Sequence, residues 1–584
     1  MTDLKLVLIP KNKENIQNIK LDRQLLETEE CNILQIKADK EEFLSQVIYL
    51  SGLLEPLPLC SGLGSCTLCR IRFLENPPKP LNQELNKLSA EDIKAGWRLS
   101  CLRKIEDEPL YLALPKYARL ARTTHKVAKN QLVEDQNVTL AIDLGSTSVY
   151  WSVNSQDNNA NLQNIKQQSQ QQKVEGVFLN PQMGAGADVI SRLAFANTLE
   201  KRRQLQNVTL DSFRRILNDL TDEGFPRPKE LCLAANSVMT YLTLNKDPQR
   251  LAAAPYNLTY RGGCYEYLEG LPPIWVAPLL SPFVGGDISA GIAFILFGKE
   301  YVDKKENFFD EALVKPEYPF ILADLGTNGE FVLCLGPDDA IISSVPMGPA
   351  LEGIGLSCGA MASPGIISSF SLSPQGLLAH KLQQTEMHST SYAVKKEGLT
   401  ATAYLNLLAH LLQLNIIDAN GLFKKNNEIF HPLAKKVLLQ NGEERLINDQ
   451  VKGTYLKLDD KLYLSSVDIE EILKVKAAFS LAVKSLLNSG GIQFKDLKHF
   501  FLAGALGKYI AVENLETLGF LPLGGGNLVK NIGNSSLSGA KLFLKYPETR
   551  ERILTWITNI KELELARQQA FIDAYVEDMK FSFY

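Results

Sequence analysis

Thr139-Leu-Ala-Ile-Asp143-Leu-Gly145-Ser146-Thr147-Ser148-Val-Tyr-Trp-Ser-Val153 runs an apolar strand into an Asp-x-Gly-Ser-Thr turn and leaves as a second strand. The tip of such a hairpin offers hydroxyls and backbone N–H groups. Glycine lets a ligand approach the backbone closely, and successive N–H groups form an anion nest suited to phosphate. Asp143, at the strand end, is placed to hold Mg2+ through water, since Mg2+ keeps much of its hydration and takes few carboxylates. One such turn is common as plain structure. Phe320-Ile-Leu-Ala-Asp324-Leu-Gly326-Thr327-Asn328-Gly329-Glu330-Phe-Val-Leu-Cys334 repeats the pattern 181 residues later, however, which makes it a duplication at domain-sized spacing.

Upstream, Cys60-Ser-Gly-Leu-Gly-Ser-Cys66-Thr-Leu-Cys69 sets three thiols close together, and Gly96-Trp97-Arg98-Leu99-Ser100-Cys101 supplies a fourth. A close-set run with one distant Cys resembles the [2Fe-2S] ferredoxins, here with five rather than four residues in the first interval. Gly62 and Gly64 suit a loop folded tightly around sulfides, where positive φ is needed. Zinc also accepts a two-residue Cys spacing, but structural zinc usually draws on two such pairs and none stands near Cys101. A disulfide framework is disfavoured, because nine Cys in 584 residues are sparse and odd in number.

A chain of 584 residues exceeds one core, which rarely grows past about 250–300 residues. The net charge of -4 makes no electrostatic case for nucleic acid. The N-terminus, Met1-Thr-Asp-Leu-Lys, has no long apolar core, so neither a signal nor a transit peptide is expected. Leu271 to Phe297 is apolar but broken by prolines and by Asp287, against a spanning helix. The expectation is a cytoplasmic protein with no membrane partner.

Residues 1–116 read as an α+β module: strands at Leu4–Ile9, Ile33–Ile36, Arg70–Leu74 and Leu110–Leu114, with helices at Glu41–Ser51 and from Ser89. That order matches the β-grasp fold of the ferredoxins it resembles. Residues 117–136, with Arg119, Arg122, Lys126 and Lys129, read as a basic linker. Residues 137–584 follow as two lobes, about 137–318 and 319–584, with an Asn- and Gln-rich insertion at Asn154–Lys173. Asp188 and Arg192, four apart, suit a salt bridge on one helix face. Asp287, after two glycines, suits either a cleft or turn capping, and Cys358 reads as a buried small side chain. Helices are expected over Ala403–Leu414, Val467–Leu487 and Glu548–Ala574.

Two Asp-turn hairpins opening two lobes are similar to the phosphate motifs of the acetate kinase, sugar kinase, heat-shock-70 and actin superfamily, a two-lobed α/β RNase-H-like fold. Phe500-Phe-Leu-Ala503-Gly504-Ala505-Leu506-Gly507 resembles its adenosine motif. Further segments narrow the resemblance: Asn180-Pro-Gln-Met-Gly-Ala-Gly-Ala-Asp188, Ala235-Asn236-Ser, Val284-Gly-Gly-Asp287, Gly348-Pro-Ala-Leu-Glu352-Gly and Gly533-Asn534-Ser. With the Cys loop, these resemble the reductive activators of corrinoid proteins, ferredoxin-plus-ATPase proteins that return oxidised cobalamin to Co(I).

The resemblance implies that Cys60, Cys66, Cys69 and Cys101 hold a [2Fe-2S] cluster, near roughly -400 mV by analogy with plant-type ferredoxins. It implies ATP with Mg2+ between the hairpins. Asp143 and Asp324 would be the catalytic carboxylates, Gly145, Ser146, Thr147, Gly326, Thr327 and Asn328 would hold phosphate, and Gly504 and Gly507 would line the adenosine site. The implied partners are a corrinoid protein or methyltransferase and a low-potential electron donor. Ala505-Leu506 stands where the activators carry Gly-Phe after Ala-Gly, and Thr400-Ala401-Thr402-Ala403 replaces their Cys-Gly-Ser-Gly. A redox-sensing scaffold with a weakened nucleotide site, or a simple electron carrier, are therefore the alternative readings.

Overall fold

The computed structural model describes residues 2–8, 32–105, 110–115, 117–119, 138–155, 174–302, 315–383, 397–440, 443–449, 453–504, 509–565 and 569–584. Arg122, Lys126 and Lys129 of the expected linker, most of the Asn/Gln-rich insertion, and Ala505, Leu506 and Gly507 lie outside the described residues.

The first module is a mixed five-stranded sheet. Thr2–Leu8 pairs antiparallel with Asn32–Ala38 and parallel with Leu110–Leu114, while Arg70–Phe73 pairs with both Leu110–Leu114 and Trp97–Leu99. This is the expected β-grasp arrangement, a first hairpin joined by a closing strand parallel to its first member. Helix Leu44–Tyr49 buries Leu44, Val47 and Ile48 beneath it. Tyr117, read as linker, packs back on this module: its hydroxyl donates to Leu68 O (2.7 Å). A large aromatic ring with an available carbonyl outweighs the basic composition of its neighbours.

The duplication is explicit in two six-stranded sheets. In the first, the antiparallel run Val138–Leu144, Ser148–Ser155, Glu175–Leu179 is extended on its other side by the parallel strands Glu230–Ala235 and Ile274–Val276. In the second, Phe320–Leu325, Asn328–Gly336 and Asp339–Pro346 are extended by His499–Ala503 and Val529–Gly533 in the same order. The near-continuous apolar strands follow from coverage on both faces. One apolar cluster holds residues of both sheets, including Ala141, Cys232, Leu322, Phe320 and Phe501.

Two helices cross at the centre of that cluster. Gly286–Val302 and Ser535–Lys545 approach so closely that a methyl group on Gly539 would lie 1.9 Å from Ala290 O. In the C-terminal third, Ala401–Gln413 is capped by Thr400, and Ser466–Ser489 by Ser465 in a reciprocal pair with Asp468. Expecting one helix over Glu548–Ala574 requires correction. It ends at Trp556; Ile560–Glu562 then joins the edge of the second large sheet beside Ala340–Ile342, and a separate helix spans Gln569–Glu577. The β-branched run Thr555, Ile557, Thr558 and Ile560 disfavours helix, and an unpaired sheet edge offers the backbone an alternative.

Candidate functional sites

The loop carrying three of the thiols coils through positive φ at Ser61, Gly62, Gly64 and Thr67, as a loop around a small inorganic body requires. The four cysteines form two pairs, Cys60 with Cys66 and Cys69 with Cys101. Cys66 donates to Cys60, which holds the Cys60 thiol down at about 4, and the Cys69 thiol, hydrogen-bonded to Cys101 and buried, is pushed far above the ordinary range. Among the described residues no three such side chains converge as a single metal ion would need. Two pairs suit a body with two metal atoms. Tyr49, held in the electrostatic field of Cys66, Cys69 and Cys101, buries a hydroxyl with no hydrogen-bond partner among the described residues. A buried O–H beside this pocket fits a ligand that brings its own acceptors.

The two hairpin tips meet. Ser146 and Thr327, equivalent by the duplication, place their hydroxyls 3.2 Å apart. Each tip is closed by its glycine, with Gly145 N donating to Ser148 O (3.0 Å) and Gly326 N, in a turn one residue tighter, to Asn328 O (3.0 Å). Glu352 joins them, accepting from Thr147 Oγ1 and from Thr327 Oγ1 (3.0 Å). Gly504 follows the strand that pairs with Phe320–Leu325; at φ +88°, a Cβ there would sit 2.8 Å from Asp324 Oδ1. That strand register is what brings Gly504 to the second hairpin.

Behind the tips stand four carboxylates. Asp143 accepts from Asn534 Nδ2 (2.7 Å) and Ser536 Oγ (2.9 Å), both from the start of helix Ser535–Lys545. Asp324 lies opposite Glu330 in the hairpin register, and Asp287 opens helix Gly286–Val302. Burial raises them all. Asp143 rises to about 6, checked by its two donors; Asp324 rises to about 7, with Asp143 adding; Asp287 rises to about 8, with Asp324 and Asp143 adding; Glu330 is raised well above the ordinary carboxylate range, with Asp287, Asp324 and Asp143 adding. Among the described residues no Lys or Arg pairs with any of the four. Among the described residues no three of these carboxylates converge on one point, so a cation here would be one such as Mg2+ that takes one or two carboxylates and keeps its water.

The structure thus brings Asp143, Gly145, Ser146, Thr147, Asp324, Gly326, Thr327, Asn328 and Gly504 to one place and the four cysteines to another. Motif spacing alone did not reveal Glu352, Glu330, Asn534, Ser536 or Arg192. Glu330 carried a signal, being set in the outgoing strand directly across from Asp324. The others reach the hairpins only through tertiary folding, Arg192 across 46 residues to Ser146 and Ser536 across 393 to Asp143. Asp188 and Arg192 do not form the expected salt bridge on one helix face. Asp188 caps helix Val189–Phe195 through Ser191 N (2.8 Å), and Arg192 turns under the first hairpin and is fully buried. Cys358 is buried, as expected, and accepts from Tyr463 N (3.4 Å).

Duplicated lobes that touch at their Asp-turn tips define a domain of the actin, heat-shock-70 and sugar-kinase class, here preceded by a β-grasp module with a four-thiol loop. Residues 138–300 match the family model described as the RACo middle region, and residues 319–583 match that for the C-terminal domain of RACo, the ASKHA domain. The chain belongs to this family. It is 27% identical over 419 residues to the corrinoid activation enzyme RamQ of Eubacterium limosum, covering 69% of this chain and 65% of that protein. It is 26% identical over 286 residues to a [Co(II) methylated amine-specific corrinoid protein] reductase of Methanosarcina barkeri, covering 46% and 47%. The chain therefore spans about half to two thirds of the length of these curated relatives. A solved structure described as a reductive activator for a corrinoid, iron–sulfur protein shares the fold with a TM-score of 0.59, at 19% identity over 99% of this chain and 98% of that one. Among the described residues no helix is long and apolar enough to cross a membrane.

Proposed function

We propose that the chain is an ATP-dependent reductive activator of a corrinoid protein. Cys60 and Cys66 would hold one iron of a [2Fe-2S] cluster, and Cys69 and Cys101 the other, which is the division that the two thiol pairs support. When bound, such a cluster supplies one-electron transfer at low potential. Ser146, Thr147, Thr327 and Asn328 bind the phosphates of ATP, and Gly145 and Gly326 leave the turns free of side chains so that a phosphate can approach. Asp143 and Asp324 position Mg2+ and water, and Gly504 with Gly507 lines the adenosine site. Phosphoryl transfer needs mainly positioning and charge neutralisation, and these groups provide both. The observation that carries the reading is the meeting of the duplicated tips at Ser146 and Thr327 on the lobe that also seats the cysteine loop.

The decisive experiment uses the reconstituted protein, a corrinoid protein in the Co(II) state, a low-potential reductant and Mg-ATP. Co(I) absorbance should appear only when ATP and the cluster are both present. If ATP is neither bound nor hydrolysed, with or without the corrinoid protein, the reading fails.

A Cys69→Ser variant should lose the ferredoxin-like visible absorption and the ATP-dependent formation of Co(I) while still binding nucleotide, because the two Asp-turn hairpins lie in the lobes and not in the cysteine loop. Loss of both together would contradict the separation of the two sites.

A further inference from the structure

One short segment, Asn180 to Arg192, is gripped from two sides. On one side it holds every carbonyl of the first hairpin's turn: Asn180 N donates to Thr147 O (2.8 Å), Asn180 Nδ2 to Gly145 O (2.7 Å) and Arg192 Nη2 to Ser146 O. On the other side it seats the cysteine loop. Ala187 N donates to Ser61 Oγ (2.7 Å), and Ser61 Oγ donates to Asp188 Oδ2 (3.3 Å). Leu50 of the first module is 2% exposed within the apolar core of the first lobe, and a Cβ on Gly184 would lie 2.9 Å from it. Ser61 directly follows Cys60.

Arg192 links the two sides, because its Nε holds Gly186 O (2.9 Å), the residue before Ala187. Among the described residues its hydrogen-bond partners are two carbonyls and the Met239 thioether, none of which carries a full negative charge. The anions in its field are Asp188 and Glu352. Asp188 is engaged with Ser191 and Ser61, and Glu352 with the hydroxyls of Thr147 and Thr327. A buried guanidinium without a hydrogen-bonded carboxylate is costly, and a nearby phosphate relieves that cost through stronger, charge-assisted bonds. A phosphate at the hairpin tips also competes with Glu352 for the same two hydroxyls.

We propose that Arg192 is a positioning residue that couples nucleotide occupancy of the first hairpin to the seat of the cysteine loop. Phosphate entering the turn draws Arg192 toward it and away from Gly186 O, which loosens Ala187 and Asp188 beneath Ser61. The first module is then held against the lobe without nucleotide and freed toward a partner with it. This rests on the nucleotide reading above. Coupling of binding equilibria is reciprocal, so whatever loosens the seat must tighten nucleotide binding by the same factor.

The test uses the full reconstituted chain and the β,γ-imido analogue of ATP with Mg2+. Binding of the analogue should raise amide exchange across residues 184–188 and 49–53 about tenfold. Ser61→Ala, which weakens the seat without touching the hairpins, should bind the analogue about fivefold more tightly, within the usual range of coupling factors. In an Arg192→Met background the Ser61→Ala gain should vanish, and Arg192→Lys should restore part of it; a merely structural arginine would leave the gain intact. Should Arg192→Met fail to fold, the Ser61→Ala arm and the exchange data still decide. Binding of the analogue with unchanged exchange and no effect of Ser61→Ala overturns the coupling alone. Absence of any binding overturns the nucleotide reading, and the coupling falls with it.

Discussion

Asp324→Asn is expected to lower ATP turnover by about two to three orders of magnitude, the range seen when a group that positions transition-state charge is removed. It should at the same time raise the melting temperature of the metal-free protein at pH 8. The two effects have opposite signs because Asp324 belongs to a set of buried carboxylates without a described counter-cation. Asp143, Asp324 and Asp287 sit at about 6, 7 and 8, well above the roughly 3.9 of an unfolded Asp. Each therefore retains a proton in the folded state that it loses on unfolding. Raised folded values contribute stability at low pH that is lost as pH rises through them. Metal-free wild-type protein should lose stability from about pH 4, where an unfolded Asp gives up its proton, to about pH 8, by up to about 1.4 kcal/mol per pH unit for each proton still retained, with Asp143, Asp324 and Asp287 dropping out in turn near 6, 7 and 8. Mg2+ should reverse the trend, stabilising more at pH 8 than at pH 6. Thermal melts with and without Mg2+, beside a phosphate-release assay, test all three statements. If Asp324→Asn melts lower than wild type at pH 8, the carboxylates are not in mutual repulsion.

The hairpins could be read in the sequence because their chemistry is local. Apolar strand, Asp, Gly and hydroxyl fall within a few consecutive residues, and the register that places Glu330 opposite Asp324 follows from the turn itself. The cysteine loop was readable for the same reason, and Gly62 and Gly64 adopt the positive φ that their position demands. Glu352, Asn534 and Ser536 were not readable as partners of the hairpins. Glu352 reaches Thr147 across 205 residues and Ser536 reaches Asp143 across 393, and no periodicity reports contacts of that range. Asp188 and Arg192 show the limit of spacing arguments. Their separation of four suits a salt bridge on one helix face, yet Asp188 serves as a cap and Arg192 is drawn inward by the carbonyls of Gly186 and Ser146. The expected single helix from Glu548 to Ala574 failed because helical periodicity does not register a free sheet edge, here beside Asp339–Pro346.

Gly539→Ala should be the most damaging single methyl group in the nucleotide domain. In an exposed helix this substitution favours helix by about 1 kcal/mol. Here the added Cβ would lie 1.9 Å from Ala290 O and 2.7 Å from Ala290 Cα, where ordinary contact begins near 3.4 Å. Those are backbone atoms in the middle of another helix, so no side-chain rotation relieves the overlap. The helices must part, and with them the apolar cluster shared by both large sheets. Overpacking of this kind costs typically 1–3 kcal/mol and more when the backbone itself must shift, so the clash outweighs the helix gain. The displacement would also reach the site, because helix Ser535–Lys545 begins at the Asn534 and Ser536 donors of Asp143, and Gly286–Val302 begins beside Asp287. Gly291→Ala is the matched comparison. Its Cβ would meet Ser535 Oγ at 2.7 Å, a hydroxyl able to rotate, so the cost should be smaller. Denaturant unfolding of the nucleotide domain should show Gly539→Ala destabilised by at least about 2 kcal/mol more than Gly291→Ala, while the visible absorption of the first module stays unchanged. Equal stability of the two variants would mean that the helices do not cross as closely as Gly539 implies.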